Sequence, residues 1–192
     1  HALGIAEFYG PRSQMMRCID HPTMLKDGSG WGAMTGISAA LLAEDGFTGA
    51  PALTITAPQV ASIWRDLGER WYLHEQYFKA YPVCRWAQPA VEAVLALRAD
   101  KRDPARIERI EIITFHEGKR LHVTHPATTE QAQYSLPWSV ACALGRGSVD
   151  VAGVCDELNA PDLKALASKV EIHEDEAFNA RFPAERRARA RL

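Results

Sequence analysis

The chain of 192 residues carries 22 Lys+Arg against 24 Asp+Glu, a formal net charge of −2, which excludes the broad cationic field that nucleic-acid binding requires. A hydrophobic share of 47% with 24% charged residues excludes a disordered chain, and 13 glycines with 11 prolines exclude a fibrous or low-complexity one. The length suits one domain or parts of two.

The chain opens at His1, inside what reads as an element, so its natural start is expected to be missing. No basic segment followed by an apolar run marks a secretory signal. The first strong element is Gly30–Ala43 (GWGAMTGISAALLA), rich in small and apolar residues. Glu44-Asp45-Gly46 supplies its stop, with glycine in the position that tolerates a left-handed backbone. Its small residues let another helix approach closely, which predicts a helix inside a helical bundle. The uncharged stretch from Gly28 falls short of the roughly 18–20 apolar residues of a membrane span. Gly46–Pro51 is a turn-rich break, and Val60, Ile63, Trp64 and Leu67 then fall at helical spacing.

Trp71–Cys84 (WYLHEQYFKAYPVC) is aromatic-rich and bent by Pro82, and reads as an irregular connection between domains. Pro89 suits the first turn of a helix continuing through AVEAVLALR. Asp103-Pro104 predicts a turn before a strand within Arg106–Phe115. The segment from Thr128 predicts a helix that restarts near Pro137 and stops at Gly145 or Gly147. A short helix over Pro161–Ser168 and strands over Val170–His173 and Arg186–Leu192 complete the pattern. No period of 20–50 residues recurs. Helices followed by mixed helices and strands predict an α+β fold.

Cys18, Cys84, Cys142 and Cys155 match neither a zinc ribbon nor a CxxC motif, and read as free thiols of a cytoplasmic protein. His116, His122 and His125 cluster in sequence, but no carboxylate or cysteine completes a ligand spacing, so no metal is expected. The five arginines of RFPAERRARARL read as a solvated strand face. Gly28, Gly30 and Gly32 lack the Gly-Lys-Ser/Thr ending of a phosphate loop and the strand that precedes a dinucleotide fingerprint. They suit a turn delivering Lys26 and a helix N-terminus to a carboxylate, although an exposed lysine is the commoner reading. Phe78–Pro89 (FKAYPVCRWAQP) gathers Lys79, Tyr81, Cys84, Arg85 and Gln88 ahead of a helix. Lys and Arg there form a receptor for a ligand with several carboxylates. The same pair also suits the anchor of a domain boundary, and composition alone does not separate the two.

The segments FKAYPVCRWAQPAVEAVLALR, TTEQAQYSLPWSVACALGRG and KDGSGWGAMTGISAALLAEDGFTG, with the terminal FPAERRARARL, resemble successive signatures of the 2-methylcitrate dehydratase (MmgE/PrpD) family, from about Gly4 to Leu192. The resemblance implies a cofactor-free enzyme with a large helical domain, a smaller α+β lid and an active site between them. Residues 1–75 would end the helical domain, and 76–192 would form most of the lid, incomplete at its C-terminus. The family's principal catalytic Asp and His would lie upstream of His1.

By the same resemblance Lys79 and Lys26 are the cleft lysines, the latter in a register that can slip by one residue. Cys84 and Gln88 stand where some members carry histidines, and Trp138 where the family's decarboxylase has a tyrosine. These departures argue against that decarboxylase. Gln133 and Ser135 belong to AQYSLP and are expected to shape the cleft, with Arg85 neutralising a carboxylate. The implied reaction is dehydration of a small tricarboxylate such as 2-methylcitrate, in a cytoplasmic homodimer with no nucleic-acid or membrane partner. Alternatives are an epimerase, isomerase or decarboxylase of a related acid, or a non-catalytic carboxylate-binding or dimerisation module.

Overall fold

The computed structural model describes residues 1–98 and 103–192. They fall into two compact units, one of His1–Met15 with Lys26–Phe78, the other of Met16–Leu25 with Lys79–Leu192.

In chain order the first elements are α1 (Ala2–Tyr9), α2 (Met15–Asp20), α3 (Ser29–Glu44) and α4 (Leu53–Thr56), followed by 3-10 turns at Pro58–Trp64 and Tyr72–Glu75. The first unit is helical: α1 packs on α3, and among the described residues it has no strand. Helix α3 ends as its sequence predicts, with Gly46 at φ +90°. Its setting differs from the expected bundle interior. Ala39 is its buried residue, while Trp31, Met34, Ile37 and Leu41 are exposed. Apolar spacing sets which residues share a face; it does not supply a neighbour to cover that face. The helical spacing of Val60 to Leu67 likewise yields a tight 3-10 turn, with Ile63, Trp64 and Leu67 exposed.

The second unit has α+β architecture. Its elements are α5 (Gln88–Arg98), β1 (Ile110–Thr114), α6 (His116–Lys119), α7 (Thr129–Gln133), α8 (Leu136–Arg146), α9 (Val151–Cys155), α10 (Pro161–Ala167), β2 (Val170–Glu174), α11 (Glu176–Asn179) and β3 (Ala188–Arg191). The sheet order is β2-β1-β3, with β1 parallel to β2 and antiparallel to β3. Ile110, Ile112 and Thr114 point inward from β1, and the alternation predicted for that segment holds over these residues. Glu111 stands opposite Arg191 on the outer face and pairs with it at 2.9 Å.

Helix α8 forms the centre of this unit. Leu136 through Leu144 are buried without interruption, and α5, α10 and β2 all pack on α8. A helix buried on every side has no polar face to orient it, so its ends are fixed chemically. The Ser135 hydroxyl accepts from the Trp138 amide at 3.0 Å and donates to the Val123 carbonyl. Gly147, at φ +79°, closes the other end. Ile19 of α2 joins this core. Among the described residues no helix is long and apolar enough to cross a membrane.

Candidate functional site

Residues 79–88 run from the start of the second unit into α5 and are folded back by their own polar groups. The exposed Lys79 donates its ammonium to the Val83 carbonyl at 3.1 Å. The buried Gln88 side chain points its amide at the carbonyls of Tyr81 and Val83, at 3.4 and 3.5 Å. Pro82 carries no amide hydrogen, and the turn is completed by the Ala87 amide donating to the Cys84 carbonyl at 3.0 Å. The Tyr81 hydroxyl donates to Glu92 at 2.6 Å, and that bond, with some burial, pushes its pKa up to about 12.

The backbone amide of Cys84 donates to the Gln133 carbonyl at 2.7 Å, which holds this segment against the end of α7. Cys84 is half-buried. Burial pushes its thiol pKa up, opposed by a hydrogen bond from Trp86 and by the charges of Lys79 and Arg186. The second cation arrives from far along the chain. Phe182 stacks on Phe115 at 5.0 Å and meets Trp86 edge-on at 5.9 Å. The Arg186 guanidinium lies 5.9 Å from the Phe182 ring. Three aromatic rings thus brace the turn before β3 beside the segment that carries Cys84.

The residues singled out in the sequence divide into three groups. Lys79, Cys84, Gln88 and Gln133 come together in the second unit, with Arg85 exposed one residue beyond Cys84. Ser135 and Trp138 are fully enclosed, Ser135 as the cap of α8 and Trp138 with its indole N–H donating to the Gly153 carbonyl at 2.8 Å. Lys26 belongs to the first unit, exposed two residues ahead of Gly28, the residue that caps α3. Beside it the Asp27 carboxylate accepts from the Ser29 hydroxyl at 2.6 Å, which lowers its pKa. Arg186 is the addition. Its segment reads in sequence as a solvated face, and only the placement of Phe182 turns one of its arginines toward Cys84.

The three histidines near residue 120 have separate partners. His116 pairs with Glu174 at 3.2 Å, His122 meets the Arg120 carbonyl at 2.8 Å, and His125 meets the Ser168 hydroxyl at 3.0 Å. His116 and His122 line one cleft of about 510 Å³ together with Lys119, Arg120 and Glu174. Among the described residues no three metal-ligating side chains converge.

Residues 81–192 match the family model described as MmgE/PrpD C-terminal domain, a match that begins two residues after Lys79 and runs to the last residue of the second unit, leaving out its Met16–Leu25 segment. No curated protein matches the chain.

Proposed function

The chain belongs to the MmgE/PrpD family, and from that premise we propose that it is part of a hydro-lyase that removes water from a small tricarboxylate such as 2-methylcitrate. The family by itself points to dehydratase-type activity; the tricarboxylate is the finer reading. The observation that carries it is the gathering of Lys79, Gln88 and Cys84 on one folded-back segment tied to Gln133.

A hydrogen next to a carboxylate is weakly acidic because its removal loads negative charge onto that carboxylate. Cations held against the carboxylate lower this cost, and they do so best where water is partly excluded. Lys79 and Arg85 serve as those cations in the second unit, and Lys26 of the first unit is proposed as a further one. When a general base takes the proton, the electron pair of the C–H bond becomes the new carbon–carbon double bond, and the neighbouring hydroxyl leaves as water with a proton from a general acid. Gln88, a neutral donor, suits orientation of the acid more than proton transfer. The enzyme is taken to work as a cytoplasmic homodimer.

The test is to incubate the full-length protein with 2-methylcitrate in D2O and follow the products by NMR. Formation of the unsaturated acid supports the reading. Deuterium incorporation without loss of water reassigns the site to an epimerase, and neither product from any tricarboxylate overturns it.

A further inference from the structure

We propose that Arg186 is a carboxylate receptor of the same site, an inference that rests on the polycarboxylate reading above. The arginines around it are all engaged. Arg181 and Arg187 share Glu185, Arg191 takes Glu111, and Arg189 lies over the Phe178 ring at 5.7 Å. Arg186 is half-buried, and among the described residues its enclosed Nε–H meets no acceptor. Its Nε–H has therefore lost water without gaining an acceptor in exchange. A cation in that condition is stabilised by an anion brought to its remaining edge.

The place of Arg186 says which anion. Phe182 holds it by the ring face and is itself held by Trp86, two residues from Cys84. Lys79 is the other cation acting on that thiol. A point-charge ammonium from the 79–88 segment and a planar two-pronged guanidinium from the turn before β3, both acting on Cys84, suit an acid with more than one carboxylate, the arginine taking one of them bidentately. Fixed against an aromatic face, the guanidinium gives up little side-chain freedom when it does so. Its role is binding: it would hold the acid equally before and during proton removal.

The experiment compares wild type, Arg186→Gln, Arg186→Lys and Lys79→Ala in the full-length protein, with citrate binding measured by calorimetry and folding checked by thermal melting. Arg186→Gln is expected to weaken citrate about 10- to 100-fold at an unchanged melting temperature, with Arg186→Lys recovering part of the loss. With substrate, KM should rise while kcat stays within about two-fold. In wild type, citrate should protect Arg186 from phenylglyoxal, read by peptide mapping, which decides the matter even if the variants fail to fold. Binding by Arg186→Gln within about two-fold of wild type while Lys79→Ala loses citrate, or modification of Arg186 undiminished by citrate, overturns the role of Arg186 alone. A wild type that neither binds citrate nor dehydrates any tricarboxylate removes the polycarboxylate reading itself, and Arg186 with it.

Discussion

The amide of Cys84 donates to the carbonyl of Gln133 at 2.7 Å, across 49 residues of chain. That bond couples the approach to α5 to the end of α7, so two of the segments that resemble family signatures share one frame. It also keeps the thiol half-enclosed, and burial raises its pKa. Alkylation requires thiolate, so Cys84 and the buried Cys142, whose thiol is pushed up to about 12 mainly by burial, should react slowly near neutral pH. Cys155 is exposed and should be labelled first. Timed iodoacetamide labelling with peptide mapping checks the order; equal rates at Cys84 and Cys155 would contradict the enclosed setting.

Trp138→Phe should destabilise the protein by about 1–3 kcal/mol, because the buried Gly153 carbonyl loses its donor. Urea unfolding measures the loss. With the ring enclosed in the α8 core, KM of the folded variant should stay near wild type. A raised KM with unchanged stability would instead make this ring a ligand contact.

Gly147→Ala meets two obstacles. The backbone there sits at φ +79°, and an added Cβ would lie 2.7 Å from the Arg98 guanidinium. Arg98 donates to the Leu144 carbonyl at 2.9 Å, so displacing it also disturbs the end of α8. The expected loss is about 1–2 kcal/mol from the backbone alone, measured by thermal melting against wild type.

Arg146 bridges Glu157 and Asp162, reaching Glu157 at 2.9 Å and gripping Asp162 with both terminal nitrogens. Its hydrogen bond, chiefly, lowers the Asp162 pKa below the ordinary 3.8. A lowered pKa in the folded state means the contribution is complete above the ordinary value and disappears as pH falls through the folded one. Asp162→Asn should therefore cost about 0.5–1 kcal/mol at neutral pH, the modest figure reflecting solvent screening. The gap from wild type should narrow as pH falls from the ordinary carboxyl value of 3.8 through the lowered one. Unfolding curves across that range check the direction; a gap that widens in acid would contradict it.

Where one local signal dominated, the sequence was readable. Pro89 and Gly147 mark the ends of α5 and α8 because each fixes a backbone torsion or removes a donor whatever the surroundings. Val170 and Ala188 lead strands whose alternation is local too. Helix α9 carries a signal in its residues, Asp150 capping it by accepting from the Gly153 amide at 2.9 Å, but its 5 residues are too few to show a period. The single turn of α6 sits in a segment too charged to show apolar spacing. The exposed stripe of α3 was not legible, since spacing carries no information about a covering partner. Lys79 and Cys84 stand near each other in sequence and could be grouped by eye. Arg186 lies about a hundred residues on, and its charge acts on Cys84 from a place beside Phe182, the ring packed on Phe115 and Trp86.

The most direct measurement is dehydration of 2-methylcitrate by the full-length protein, followed by ultraviolet absorbance of the conjugated product, in wild type and Lys79→Ala. If Lys79 neutralises the carboxylate on which charge develops, kcat/KM should fall by about 10²–10³ with folding intact. A Lys79→Ala protein that keeps wild-type turnover on every tri- and dicarboxylate offered would contradict the account.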